Sequence, residues 1–418
     1  MANLFAYGRF DQNALNFHRL NSGDSEKELL KDANVREGGL FFEDMYVVSW
    51  SYNGDNYGSA FLGRDFSVDS NSDPDGGIFE GYVELQSNGT RFVPLWTLTG
   101  TSLSLTEVYA VTQTPGRADD LKFVNEALAG DDIMYLNRGN DRANGLDGND
   151  LLRGGAGRDS LTGGNGDDKL FGQGGSDHLY LDKGNDLLNG GIGRDWVHAR
   201  GGRDVQLDLL KSGEQSTGFG TDLLVSIENA SGAGGDDVLK GTGGRNILAG
   251  KNGDDRLFGR NGNDLLQGQN GSDFLHGGGG RDNLQGGAGE DVLIGFRGRD
   301  VLVGGADADR FVFRALNDTS ARLGQSDIIR DFTPGEDVID LRGIDASRQF
   351  AGNNAFTFTD SGRIGRSAEG EVTYRHLDRP GVANDLTVVM IDTDGDRGVE
   401  AQIRLRGILD LGADDFLL

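Results

Sequence analysis

Gly163-Gly164-Asn165-Gly166-Asp167-Asp168-Lys169-Leu170-Phe171 and Gly286-Gly287-Ala288-Gly289-Glu290-Asp291-Val292-Leu293-Ile294 are two copies of one nine-residue unit, G-G-x-G-x-D-x-U-x, where U is a large apolar residue. Outward from the first copy, the unit's aspartate recurs every nine residues at Asp132, Asp141, Asp150, Asp159, Asp168, Asp177, Asp186, Asp195 and Asp204. Around the second copy it recurs at Asp237, Asn246 (here an asparagine), Asp255, Asp264, Asp273, Asp282, Asp291, Asp300 and Asp309. Such a period does not arise by chance. The six-residue half reads as a turn, because glycines adopt backbone angles that other residues resist and leave carbonyl oxygens unobstructed. The half x-U-x reads as a short strand whose central side chain points inward. Two units then close one coil with a turn on each side, so Asp150 stacks over Asp168 and Asp159 over Asp177. The expected fold is all-β, with two parallel β-rolls.

The expected inward positions are Met134, Ala143, Leu152, Leu161, Leu170, Leu179, Leu188 and Val197, then Leu239, Leu248, Leu257, Leu266, Leu275, Leu284, Leu293, Leu302 and Phe311. Outside this apolar column the repeats are glycine and carboxylate, too little to fold unaided. Calcium takes six to eight oxygen ligands at about 2.3–2.6 Å. A carboxylate and backbone carbonyls from one turn, joined by those of the turn one coil on, supply such a shell. Folding would then be calcium binding. The candidate ligands are all eighteen Asp and Asn positions, with the turn glycines Gly155, Gly157, Gly164, Gly166, Gly175, Gly253, Gly262, Gly271, Gly280 and Gly289. Each run of nine holds seven pairs one coil apart, so at most fourteen sites are expected. Asn246 and Asp307, the latter in a glycine slot, depart from the pattern.

Composition narrows the function. The chain of 418 residues carries 67 acidic and 40 basic residues, a formal charge of −27. Without calcium the aspartates repel one another and favour expansion. The charge argues against nucleic acid or anionic membranes as partners. Cysteine is absent, which removes disulfides and thiol catalysis. No run of eighteen apolar residues is present to span a membrane. The first residues, Met1-Ala2-Asn3-Leu4-Phe5-Ala6-Tyr7-Gly8-Arg9, lack the basic and apolar regions of a cleaved signal. Weak sites of about 10⁻⁴–10⁻³ M suit extracellular calcium, so the chain is expected to stay unfolded inside and fold outside.

Residues 1–118 differ in kind. Aromatic residues concentrate here, and Met45–Tyr52 and Arg91–Leu98 alternate as strands do. Asp73-Pro74-Asp75-Gly76-Gly77 and Asn88-Gly89 read as turns. We expect a β-rich N-terminal domain at 1–118 and a first roll at 119–207, led by a short helix near Asp120–Ala129. A connector at 208–233 follows, then a second roll at 234–312. A β-rich cap at 313–418 closes the open roll end. Its expected strands are Arg310–Phe313, Asp337–Leu341, Ala355–Phe358 and Leu386–Met390.

The repeats resemble those of the RTX (repeats-in-toxin) family of type I-secreted calcium-binding proteins. Ser226-Ile227-Glu228-Asn229, Ser326-Asp327-Ile328-Ile329-Arg330-Asp331-Phe332, Gly335-Glu336-Asp337-Val338-Ile339-Asp340-Leu341 and Asp392-Thr393-Asp394-Gly395-Asp396 resemble the connector and C-terminal part of serralysin-type proteases. This likeness spans about residues 130–418. It implies calcium as cofactor, an extracellular destination and the type I secretion machinery as a partner. The ending Asp414-Asp415-Phe416-Leu417-Leu418 resembles the acidic-then-apolar terminus of such exported chains.

The protease chemistry is missing from the sequence. Its zinc motif, H-E-x-x-H, needs two histidines one helical turn apart. His18, His178, His198, His276 and His376 do not have that spacing, and His178, His198 and His276 read as solvent-exposed repeat residues. No G-x-S-x-G elbow is present either. Asp65, Asp69, Asp73 and Asp75 form an acidic cluster that reads as a solvated hairpin tip, with calcium ligation or a carboxylate pair for sugar chemistry as the alternatives. Asp392, Asp394 and Asp396 read as a plain turn or a peripheral calcium site. Trp50, Tyr52, Tyr57 and Trp96 are either core aromatics or a sugar-stacking face. The expected function is a secreted, non-enzymatic calcium-binding protein of matrix, adhesion or surface recognition, with a polysaccharide or cell-surface ligand. The alternative is a secreted hydrolase, polysaccharide-active or other, with its site in residues 1–118.

Overall fold

The computed structural model describes residues 130–418, apart from 137–138, 348–353, 366–369, 379–384 and 396–397, and the backbone of strands between residues 3 and 104. The helix expected near Asp120–Ala129 lies outside the described residues. The chain divides into two compact units, residues 1–197 with 219–227, and residues 198–218 with 228–418.

In the first unit, apolar residues nine apart put strands on two faces of a parallel roll. One face runs through Ile133–Tyr135, Leu151–Gly157, Lys169–Gly175, Leu187–Gly193 and Thr221–Val225. The other includes Arg142–Asp147, Ser160–Asn165 and His178–Tyr180. Pairing keeps strict register: Leu152 opposite Leu170, Leu170 opposite Leu188, Leu161 opposite Leu179. The chain leaves the roll after Val197 and returns, setting Leu224 opposite Leu188. Strands Asp44–Tyr52, Asp55–Val68, Pro74–Ser87 and Phe92–Ser104 form an antiparallel meander. Asn3–Ala6 joins it to the roll, pairing antiparallel with Phe92–Ser104 and parallel with Ile133–Tyr135. Two expected strands are therefore present here. Residues 74–77, expected in a turn, instead begin a strand, with Gly76 opposite Ser67 and Pro74 opposite Val68. The bulges beside Gly63 and Ser67 accommodate that proline and glycine run.

The second unit carries the longer roll. One face stacks Gln206–Asp208, Val238–Lys240, Arg256–Gly262, Phe274–Gly280, Val292–Gly298, Arg310–Val312, Val338–Asp340 and Phe416–Leu417. The opposite face runs from Asn229–Ser231 through Val301–Ala306 and Ile328–Ile329 to an antiparallel sheet of Ala401–Arg406, Leu386–Asp392 and Glu371–Leu377. Glu371–Leu377 and Ala401–Arg406 were not foreseen in the sequence. Polar residues interrupt their alternation, yet Thr373, Gln402 and Arg404 are buried. The end of the roll is thus covered by strands, as an open parallel edge requires.

All seventeen expected inward side chains are buried, none more than 2% exposed. Within each unit, paired strands set these residues over those one coil away, so each roll has its own apolar column. No α-helix occurs among the described residues; the helical turns there are the 3-10 segments Leu316–Asp318 and Ala413–Asp415.

Candidate metal centres

The residue before each core strand is the repeat aspartate, and the pleat turns its side chain back under the preceding coil. Along the columns, one carboxylate oxygen of a repeat aspartate accepts the backbone N–H of the repeat residue one coil earlier. Asp150 accepts from Asp132 at 2.7 Å, Asp168 from Asp150 at 2.7 Å and Asp186 from Asp168 at 2.8 Å. On the other edge Asp159 accepts from Asp141, Asp177 from Asp159 and Asp195 from Asp177, at 2.8–2.9 Å. The second unit repeats this from Asp255 (accepting from Asp237) through Asp273, Asp291 and Asp309, and from Asp264 (accepting from Asn246) through Asp282 and Asp300.

The second oxygen is different. Oδ2 of Asp150, Asp159, Asp168, Asp177, Asp255, Asp264, Asp273, Asp282, Asp291 and Asp300 is buried without a hydrogen-bond partner among the described residues. A buried charge in that state costs several kcal/mol unless a cation meets it. The same oxygen lies against the first glycine of its own turn. A Cβ on Gly163 would stand 2.0 Å from Asp168 Oδ2. One on Gly268 would stand 2.0 Å from Asp273 Oδ2 and 2.6 Å from the Gly286 carbonyl of the next coil. Carboxylate and carbonyl oxygens therefore converge in a cradle that only glycine leaves open. These hard donors fit calcium. The glycines at motif positions 2 and 4 shape the turn; Gly166, at φ +129°, brings its Cα so close that a Cβ would meet the Gly148 carbonyl at 2.0 Å.

Burial pushes these carboxyls well above their usual range. Asp150, Asp159, Asp168, Asp264, Asp300 and Asp309 rise to about 7, Asp255 and Asp291 to about 8, and Asp186, Asp273 and Asp282 to about 6. Desolvation leads in every case; the donated backbone N–H opposes it. The consequence for pH has a definite sign. A carboxyl whose folded value exceeds its unfolded value of about 3.9 binds more protons folded than unfolded. Its penalty on the metal-free roll is absent below about pH 4, grows between about 4 and 8, and is complete above. Calcium-free chain is thus expected to gain β structure as pH falls from 8 towards 4, while the calcium midpoint rises because protons compete for the same oxygens. Circular dichroism over pH, with and without chelator, reads both; a calcium-free chain that loses structure on acidification contradicts the sign.

Three aspartates continue the columns where the glycine repeat stops. Asp222 accepts the N–H of Asp186, Asp327 that of Asp300 and Asp337 that of Asp309, at 2.7–2.9 Å. Their signal was present in Thr221-Asp222-Leu223-Leu224, Ser326-Asp327-Ile328-Ile329 and Glu336-Asp337-Val338-Ile339, which keep x-D-x-U without the glycine half. Asp327 is buried and pushed up to about 8, chiefly by burial and then by Asp300. Asp182, in a glycine slot, was also missed. Its carboxylate accepts the Gly164 N–H at 2.8 Å, and carboxylate oxygens of Asp168, Asp182 and Asp186 come within 4.8 Å of one another.

Other expected positions depart from the cradle. Asp204 is exposed and accepts the Asp236 N–H at 3.0 Å, while Val205 takes the slot below Asp237. A one-residue slip there moves Asp204 from the inner column to the outer one. Asp237 uses both oxygens, for Val205 and Ala233 N–H groups. Asn246 gives its oxygen to Thr242 N–H and its amide to the Glu228 carbonyl. Asp307 adopts φ +75°, the left-handed angle its glycine slot demands. The histidines are half-buried on strands, correcting the expectation of exposure: His178 stacks on Trp196, and His276 packs between Phe258 and Phe296. Of the acidic cluster in the N-terminal domain, Asp69 and Asp73 lie outside the described residues, as do the side chains of Asp65 and Asp75.

The fold and its turns define a calcium-binding parallel β-roll protein. The family described as RTX calcium-binding nonapeptide repeat (4 copies) matches residues 126–143, 144–179, 171–205, 231–266 and 249–284, and Peptidase M10 serralysin C terminal matches residues 277–418. The chain is an RTX-repeat protein with a serralysin-type C-terminal region. Solved structures similar to it include the AlgE6R3 subunit of the Azotobacter vinelandii mannuronan C5-epimerase, at 26% identity over 46% of this chain and 80% of that one. Another is the extracellular lipase LipA of Serratia marcescens, at 17% identity over 69% of this chain and 38% of that one. Both have a TM-score of 0.21, too low to carry an argument. No curated protein matches the chain. Together the family matches support a secreted calcium-binding RTX protein.

Proposed function

We propose that calcium ions sit between successive turns of both rolls, and that the protein folds on meeting extracellular calcium to present residues 1–118 for matrix, adhesion or surface recognition. The observation that carries this reading is the set of buried aspartates whose Oδ2 atoms have no hydrogen-bond partner among the described residues. Asp150, Asp159, Asp168, Asp177, Asp255, Asp264, Asp273, Asp282, Asp291, Asp300 and Asp327 would supply one carboxylate oxygen each, with turn carbonyls completing the shell. Asp237 and Asn246, whose side chains are satisfied by hydrogen bonds, would form the metal-free start of the second roll, so fewer than fourteen ions are expected. Export through a type I route also fits. Asp415 accepts N–H groups of Gly335 and Gly412, and Phe416 is buried, so the acidic-apolar ending would be presented by the unfolded chain.

The recognition role is tested by binding the full chain, in calcium, to a panel of bacterial, algal and host polysaccharides. Trp50, set opposite Tyr57, and Trp96, set opposite Glu84, are the aromatics to remove. Specific binding lost on Trp50→Ala or Trp96→Ala, with the rolls still folded, is the expected result. Turnover of a polysaccharide instead of binding would replace this reading with the hydrolase.

A further inference from the structure

A second kind of carboxylate cluster lies outside the repeat columns, in the hairpin loop between strands Leu386–Asp392 and Ala401–Arg406. One carboxylate oxygen from each of Asp392, Asp394 and Glu400 lies within 4.8 Å of the others. Asp392 is fully buried, at 0% exposure. Its Oδ1 accepts the N–H groups of Asp394 and Gly395, both at 2.9 Å. Its Oδ2 is buried with no partner among the described residues. Glu400 is held in place by the Thr393 N–H on Oε2 at 2.9 Å and by its own N–H to the Ile391 carbonyl at 2.9 Å. Two backbone donors hold Oδ1, while Oδ2 faces neither water nor a donor among the described residues. Burial on those terms is costly without a cation.

We propose that Asp392, Asp394 and Glu400 form a calcium site in the cap, distinct in construction from the repeat turns. The repeat cradle draws one carboxylate and backbone carbonyls from stacked coils. This loop would instead draw three carboxylates from one hairpin, leaving the remaining positions to carbonyls and water, as calcium's large and adaptable shell permits. The ion would tie the end of Leu386–Asp392 to the start of Ala401–Arg406. That second strand pairs parallel with Ile328–Ile329, setting Arg404 opposite Ile328 and Leu405 opposite Ile329. Closing the hairpin therefore fixes the strand that covers the roll's last coils, so the site couples cap order to calcium.

Hydrogen exchange on the full chain across a calcium titration tests this. In the unmodified protein, amides of residues 386–406 are expected to slow roughly ten-fold or more as calcium is added, about 1.4 kcal/mol of local protection. In Asp392→Asn with Glu400→Gln that slowing is lost, while residues 247–306 keep theirs. An unchanged response of 386–406 in the double variant overturns the site. Should the double variant disorder the cap at every calcium level, Asp394→Asn decides. Asp394 is only half-buried, and its loss should move the midpoint for 386–406 to higher calcium by about three-fold or more, against no movement if calcium acts solely through the roll. Failure of residues 247–306 to respond would count against the repeat sites, and is read separately.

Discussion

Chelating calcium from the whole chain is expected to abolish most of the β signal of residues 130–310; millimolar calcium should restore it and magnesium should not. Burial pushes Asp273 up to about 6, Asp150 to about 7 and Asp255 to about 8, so at neutral pH each roll holds carboxylates that resist ionisation where they sit. The chain as a whole adds a formal charge of −27, which favours expansion. A divalent ion between turns removes both penalties, and because the cradle exists only when coils are stacked, binding and folding are one equilibrium. Magnesium demands a tighter octahedron at about 2.0–2.1 Å and parts reluctantly with water. Far-ultraviolet circular dichroism with chelator, then calcium or magnesium, is the measurement. A spectrum indifferent to chelation would remove the calcium-folding reading altogether.

Alanine at Gly268 should be among the most damaging small changes in the second roll. The added methyl would stand 2.0 Å from Asp273 Oδ2 and 2.6 Å from the Gly286 carbonyl, so the carboxylate or the next coil must move. Overpacking of this kind costs about 1–3 kcal/mol, and here it also displaces the oxygens proposed to hold calcium. A raised calcium midpoint should accompany the lost stability. Gly243→Ala is the control: nothing lies within 4 Å of its Cβ. Its effect should stay within about 0.5 kcal/mol, as for surface sites generally. Calcium titrations and denaturant unfolding of the two variants in parallel give the comparison, and equal behaviour would show that the first glycine of the unit does not guard the cradle.

That glycine shows how much of the site was legible. In the second roll, position 1 of the unit is glycine at Gly241, Gly250, Gly259, Gly268, Gly277, Gly286, Gly295 and Gly304, while position 2 admits Lys251, Arg260, Gln269 and Phe296. The constraint was written in the sequence, yet the glycines singled out by motif were those at positions 2 and 4. The reason is physical. A left-handed turn, as at Phe296 with φ +68°, costs a bulky residue some strain, whereas a methyl inside a carboxylate cradle has nowhere to go. The cap was less legible, because its strands Glu371–Leu377 and Ala401–Arg406 bury polar residues that find partners far along the chain. Arg404, for instance, donates from Nε to Ser326 Oγ at 3.1 Å.

The sequence by itself determined the all-β roll, its eighteen-residue coil, the apolar column and the aspartates beneath it, because a strict nine-residue period leaves one way to stack turns and strands. Tertiary structure alone decided which carboxylates keep a buried oxygen without a partner among the described residues. Asp222, Asp327 and Asp337 enter the columns only because the chain returns to them across 27 to 36 residues, and Asp204 leaves because of a one-residue slip. Asp237 and Asn246 carry the repeat's signature but spend their side chains on nearby backbone and side-chain groups. A period specifies where a side chain stands; only the folded neighbours determine whether its oxygen has a partner.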